Sequence, residues 1–350
     1  MTRLSRRSFV GAVALAPVVA LGACSTGPSE DTAAAGSGAS TSAAADAFPV
    51  TIEHALGETT IEKAPTKIAT VGWSDQDVVA SFGVVPVGAP AITWGGNKDK
   101  STDWFDAAVD EIDPDAEIVR YDDADGVPVD EIAKLAPDLV LGVNSGMSQD
   151  EYDKLTKIAP TVAYPGAPWG TSWEDSVELV GKALGQEDKA TQITDDLNAD
   201  IDEAVAKYPE LKGKSAAWIW FTPTDLSTIG VYASTDLRPQ MLERFGMTEP
   251  DFVTKGSKDG AFSFELSSER STDVDADLVV FYVEEDGQVE KLKKDPLLGK
   301  IPALKDDHYV GSADNATALS MSSPTPLSLP VALEDFLPKL ASAAEGKPAS

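Results

Sequence analysis

Val129-Asp130-Glu131-Ile132-Ala133-Lys134-Leu135-Ala136-Pro137-Asp138-Leu139-Val140-Leu141-Gly142 holds a helix, its stop and the strand that follows it. Val129 to Leu135 reads as a short helix. Pro137 stops it, because proline lacks an amide proton and clashes with the preceding turn. Asp138 to Gly142 then reads as a buried strand. The same alternation continues on both sides. Downstream, Gln149 to Ile158 is helical and Thr161 to Tyr164 is a strand. Upstream, Lys67 to Gly72 is a buried strand. Ser74 to Phe82 has helical spacing at Val78, Val79 and Phe82, with Ser74 as N-cap, and Val84 to Gly88 is the next strand. Phe48 to Ile52 and Glu58 to Ile61 flank Gly57 as an opening strand–turn–strand. Strand–helix–strand repeated in this way predicts a parallel α/β sheet.

Beyond this lobe lies an amphipathic stretch from Ser172 to Tyr208. One apolar set is Val177, Leu179, Val180, Ala183 and Leu184. A second, Ile193, Leu197, Ile201 and Val205, recurs every four residues with acidic side chains opposite, and Gly185 separates the two. A second α/β segment follows. Its expected elements are strands at Ser215–Phe221, Leu278–Tyr282 and His308–Val310, a helix at Gln240–Phe245, and a terminal helix from Leu327 to Leu340 broken by Pro330 and Pro338. The expected organisation is a first lobe over 48–171, a helical segment over 172–210 and a second lobe over 211–350.

The chain has 350 residues, with 28 basic and 58 acidic side chains and a formal charge of −30. So negative a surface repels phosphate backbones and argues against a nucleic-acid partner. One Cys and two His exclude a disulfide framework, a Cys-based zinc site and a multi-His metal cage. The start of the chain reads as an export signal over residues 1–23. It has Arg6-Arg7 before Ser8-Phe9-Val10, a short apolar run from Val10 to Leu21, and then Gly22-Ala23-Cys24. The paired arginines resemble the twin-arginine class, and Leu21-Gly22-Ala23-Cys24 resembles a bacterial lipobox whose Cys24 carries lipid. Residues 24–47 are mostly Ser, Thr, Ala and Gly, too poor in apolar area to offset the entropy of ordering, and read as a tether. The expected location is therefore the outer face of a bacterial cell membrane, held there through Cys24.

The usual catalytic patterns fail. Gly213-Lys214-Ser215 looks like the tail of a phosphate loop, but Tyr208 stands where the first Gly is required. In Gly142-Val143-Asn144-Ser145-Gly146 the Ser comes one place too late for a nucleophile elbow. What stands out instead is aromatic rings in Gly- and Pro-rich loops: Trp73, Trp94, Tyr164 and Trp169 in the first lobe, and Trp220 at the end of a second-lobe strand. Loops at the carboxyl ends of strands line the crevice of an open α/β sheet, and rings there offer broad faces at little entropic cost. With no base or nucleophile beside most of them, binding without turnover is the expected activity.

Phe48 to Gly57, Ile61 to Val71, Phe82 to Gly88, Val129 to Val140 and Ala276-Asp277-Leu278-Val279 resemble, in order and spacing, the ferric-siderophore substrate-binding proteins of ABC importers. The resemblance implies two Rossmann-like α/β lobes bridged by a single long rigid helix, the helical-backbone class of periplasmic-binding-protein-like folds, with that helix within Gln186–Tyr208. It implies a ligand cleft between the lobes, walled by Trp73, Trp94, Tyr164, Trp169 and Trp220. The resemblance also implies that Arg238, in Asp236-Leu237-Arg238, faces the cleft from the second lobe. A ferric siderophore brings its own oxygen ligands, so no cofactor and no protein-bound metal is expected. The resemblance further implies a monomer that docks on permease subunits through one carboxylate per lobe. These are Asp130, with Glu131 as a rival, and Glu269. Haem or cobalamin on the same scaffold, and an anchored surface enzyme or adhesin, are the alternatives.

Overall fold

A computed structural model of the protein describes residues 47–258, 261–285 and 287–349. The leader, Cys24 and all of the tether except Ala47 lie outside the described residues. The chain opens with the expected hairpin, β1 (Val50–His54) against β2 (Gly57–Ile61), antiparallel. Its inward face presents Ile52, His54, Thr59 and Ile61. His54 Nε2 pairs with Thr59 Oγ1 at 3.0 Å, and Ala55 N donates to Tyr164 O at 2.9 Å, which docks the hairpin on the first lobe.

The first lobe is a parallel sheet, as predicted, with five strands where the sequence suggested four. Its strands are β3 (Ile68–Thr70), β4 (Gly88–Pro90), β5 (Val119–Tyr121), β6 (Leu139–Gly142) and β7 (Thr161–Ala163), in the order β5-β4-β3-β6-β7. The central strands β3 and β6 are buried at every residue. The strand expected at Val84–Gly88 begins only at Gly88, because Pro86 cannot donate to a ladder. Ser74 occupies the N-cap of the Asp75–Ser81 helix, but its side chain makes no capping bond. It pairs instead with Ser323 of the second lobe.

Ser172 caps the Trp173–Leu184 helix, accepting from Asp175 N at 3.0 Å, and Gly185 ends it at φ 65°. The helix that joins the lobes, Glu187–Val205, has 19 residues and so runs about 28 Å. Leu197 and Ile201 are buried, and Ile193 and Val205 pack beside them. They belong to one continuous apolar cluster, which runs from Ile68 and Leu139 of the first sheet, through this helix, to Trp218 and Leu278 of the second.

The second sheet has the order β10-β9-β8-β11-β12. The expected parallel strands are β8 (Ala216–Thr222), β11 (Leu278–Tyr282) and β12 (Tyr309–Ser312). Two strands that the sequence did not suggest, β9 (Asp225–Tyr232) and β10 (Ser263–Ser267), add on antiparallel, so this lobe is mixed rather than wholly parallel. The terminal helix is not broken at its prolines. A helical path runs from Leu329 to Ala344, and a π turn at Ala332–Phe336 absorbs the hydrogen bond that Pro338 cannot make.

The two lobes share one device. Asp138 at the head of β6 accepts from Thr66 N at 2.9 Å and Lys67 N at 2.7 Å, fixing the chain as it enters β3. Asp277 at the head of β11 accepts from Ser215 N at 2.8 Å and does the same for β8. This accounts physically for the recurrent Asp-Leu-Val in both halves.

Candidate functional site

The carboxyl ends of the central strands point the chain into the space between the lobes. After β3 comes Gly72, where a Cβ would overlap the Asp75 carboxylate. That carboxylate accepts from Val143 N at 2.7 Å and Asn144 N at 3.0 Å, and Trp73 N donates to Asn144 O at 3.2 Å. The loops after β3 and β6 are thereby stitched together, and they present Trp73 and Asn144 to the cleft.

Two cavities open there, of about 410 and 430 Å³, sharing Trp73, Tyr232 and Arg238. Trp169, Asn144, Asp236 and Phe262 help enclose the first, and Trp94, Trp220, Tyr282 and Glu284 the second. The rings interlock across the lobes. Trp73 and Trp94 lie 6.4 Å apart, Trp94 meets Tyr282 edge-on at 5.0 Å, and Trp220 leans on Tyr232 at 4.8 Å. Arg238 is 9% exposed, with its guanidinium 4.0 Å above the Tyr232 ring. Its Nη1 donates to both Asp236 oxygens, at 3.0 and 2.9 Å, and its Nε donates to Tyr282 Oη at 3.0 Å. Burial opposes the charge on Arg238, but Tyr282, Asp236 and Tyr232 together outweigh it and hold the guanidinium above its ordinary value. Asp236 also caps the Leu237–Arg244 helix by accepting from Arg238 N.

The sequence-predicted residues Trp73, Trp94, Trp169, Trp220 and Arg238 thus gather around the cleft. Tyr164 does not. Its ring is buried in the first-lobe core and its hydroxyl donates to Met147 O at 3.2 Å, because the opening hairpin covers the loop it starts. Asp130 and Glu269 are exposed in the first turns of short helical segments, Val129–Leu135 and Ser268–Asp273. Sequence reasoning missed Asn144, Tyr232 and Tyr282. Tyr282 ends β11 just as Trp73 follows β3, so the rule that strand ends line the crevice could have found it.

Two glycines serve as seats for the walls. Gly230 faces Trp220 across the β8–β9 pair, and a Cβ on it would fall inside the indole ring. Gly146 carries the Trp169 indole in the same way. Trp169 itself has φ 59°, a left-handed conformation that bulky residues seldom adopt, and it is 43% exposed. Gly230→Val is expected to drive Trp220 off its seat and weaken ligand binding at least about tenfold. Unchanged affinity in a titration of that variant would show that the Trp220 position is immaterial.

Below the cavities the lobes meet in a polar seam. Thr325 Oγ1 and Trp104 Nε1 donate to Asp77 Oδ2, at 3.0 and 2.7 Å, and Asn144 Nδ2 reaches Ser323 Oγ at 3.4 Å. Burial pushes the Asp77 carboxyl from near 3.8 up to about 6, outweighing Trp104, Thr325 and the Arg120 charge. Between about pH 4 and 6 the folded protein then holds a proton that the unfolded chain has released, so this group's contribution to stability falls as pH rises through that window. The loss is about 3 kcal/mol. Asp77→Asn should match the wild type at pH 4 and melt at a higher temperature at pH 7.5. Parallel melting profiles across the window would mean that Asp77 ionises normally.

Comparison with known proteins agrees with this architecture. The ferrichrome complex of PiaA from Streptococcus pneumoniae TIGR4 superposes with a TM-score of 0.79 at 32% identity, over 85% of this chain and 99% of that one. The iron(3+)-hydroxamate-binding protein YxeB of Bacillus subtilis is 31% identical over 115 residues, which span 33% of this chain and 31% of that protein's length. An iron-uptake system-binding protein of the same organism is 25% identical over 240 residues, 64% of this chain and 68% of that protein. Residues 68–314, most of both lobes, match the periplasmic binding protein family, and the chain belongs to it.

Proposed function

We propose that the protein is an extracytoplasmic solute-binding lipoprotein that captures a ferric siderophore between its lobes and delivers it to the permease of an ABC importer. The observation that carries this reading is the aromatic wall closed around Arg238 by Trp73, Trp94, Trp220, Tyr232 and Tyr282. Such a wall grips a ligand by area, π faces and a few donors. A ferric siderophore needs no more, since its own oxygens saturate the iron. The ferrichrome-bound relative and the hydroxamate-binding relative support the reading. Haem held by an axial imidazole fits less well, because both histidines serve the scaffold: His54 bonds within the opening hairpin, and His308 Nδ1 lies 2.9 Å from Ala343 O. In this reading the protein works as a monomer without turnover, Cys24 carries the lipid anchor, and iron enters only inside its ligand.

The test is a titration of intrinsic tryptophan fluorescence with ferric siderophores, haem and cobalamin. Quenching by at least one ferric siderophore is expected with a Kd of 1 μM or tighter, which corresponds to about 8 kcal/mol. Saturable binding of haem or cobalamin alone would replace the siderophore with that ligand.

A further inference from the structure

Among the described residues lining the two cavities, Arg238 is the one cation, and Asp123, Asp236 and Glu284 are the anions. Most of the donors of Arg238 are already taken inside the wall. Nη1 is held by both oxygens of Asp236, Nε by Tyr282, and the guanidinium face by Tyr232. The Arg238 and Asp236 charges offset each other, and only the Nη2 donors of Arg238 lack a partner among the described residues. The net charge left facing the cleft is that of the carboxylates of Asp123, on the first lobe, and Glu284, on the second. Both are exposed, and neither forms an ion pair with a described residue. The rest of the lining is largely aromatic, and the π faces of Trp73, Trp94 and Trp220 attract positive charge and repel negative.

Taking the siderophore reading above as its basis, we propose that this cleft selects ferric complexes of zero or positive net charge and rejects polyanionic ones. Three monoanionic hydroxamates around Fe(III) leave no net charge, and a pendant ammonium makes the complex cationic. Three catecholate dianions leave a charge of −3, which two unpaired carboxylates and a set of π faces oppose at once.

The experiment uses a single linear trihydroxamate loaded with Fe(III), its free end left as an ammonium, acetylated to neutrality, or succinylated to a carboxylate. A ferric tris-catecholate is the fourth probe. At low ionic strength the ammonium and acetyl forms should bind best, the succinyl form about tenfold more weakly and the tris-catecholate about a hundredfold or more. Added salt should narrow these ratios. The double variant Asp123→Asn with Glu284→Gln should recover about tenfold for the tris-catecholate relative to the acetyl form. If the tris-catecholate or the succinyl form binds as tightly as the acetyl form, the charge selection is overturned while siderophore capture stands. Arg238 would then exchange Asp236 for the ligand. An unchanged ratio in the double variant overturns the role given to Asp123 and Glu284. If no ferric complex of the four binds, the siderophore reading fails, and the selection with it.

Discussion

Reversing the charge at both Asp130 and Glu269 to Lys is expected to abolish uptake while leaving the ligand titration unchanged. Both side chains are exposed at the start of a short helical turn, one in each lobe. The turns occupy matching places. Each precedes a strand, β6 or β11, and the aspartate just ahead of that strand, Asp138 or Asp277, fixes the neighbouring strand; Asp130 and Glu269 stand the same distance ahead of those aspartates. In that register Glu131 corresponds to Arg270, which favours Asp130 over Glu131 for the proposed docking role. Two separated charges fix the register of an encounter and speed it more than they tighten it, so a lysine at each place sets repulsion against attraction at both ends. Transport by the permease in proteoliposomes is the readout. Uptake at the wild-type rate would remove these residues from the docking surface, and a lost titration would place them in the cleft.

Arg238→Ala is expected to cost both stability and affinity. The guanidinium and the Asp236 carboxylate form a buried pair, 10% and 9% exposed at their side chains. Removing one partner strands the other charge away from water, a loss of about 3–5 kcal/mol. In a protein of this size that lowers the melting temperature by about 5–10 °C. Burial alone already pushes the Asp236 carboxyl up even with Arg238 present. Arg238→Met combined with Asp236→Asn removes both charges and keeps a cap acceptor for the Leu237–Arg244 helix, so most of the stability should return. Ligand binding should not return, because Tyr232 and Tyr282 have lost the group that orients them. A single Arg238→Ala variant that melts like wild type would show that the pair carries little. A charge-free double variant with full affinity would show that the guanidinium does not serve the ligand.

Most of the first lobe was legible because its elements announce themselves locally, β5 and the Asp103–Ile112 helix excepted. Leu139-Val140-Leu141 cannot be anything but buried, and Pro137 marks where the helix before it ends. Strands β9 and β10 escaped because Asp225, Ser227, Thr228 and Glu265 are polar and Gly230 interrupts the run. They are strands by virtue of pairing with β8 rather than by their own composition. Trp73 and Trp220 lie at the cleft because a strand end and a glycine seat turn their rings toward it. The loop-aromatic signal misplaced Tyr164, whose burial is decided by a hairpin more than a hundred residues earlier in the chain. Nothing in the sequence singles out Asp75 or Asp77, and only the packed structure shows one stitching two loops and the other joining the lobes.

The apolar cluster that runs unbroken from the first sheet through the Glu187–Val205 helix to the second has a kinetic meaning. A frame tied at the helix and again at the Asp77–Thr325 seam has little room to open. Little of a ligand's interaction energy is then spent on closing the jaws or freezing loops. Capture should proceed in one step at a rate set by collision and orientation, about 10⁵–10⁷ M⁻¹s⁻¹. Among ligands of equal charge that rate should barely change, so discrimination between them would be written in how long each stays. Under the proposed function, a long residence time suits retention of a scarce ligand but delays its release, so delivery to a permease would require docking to part the aromatic wall.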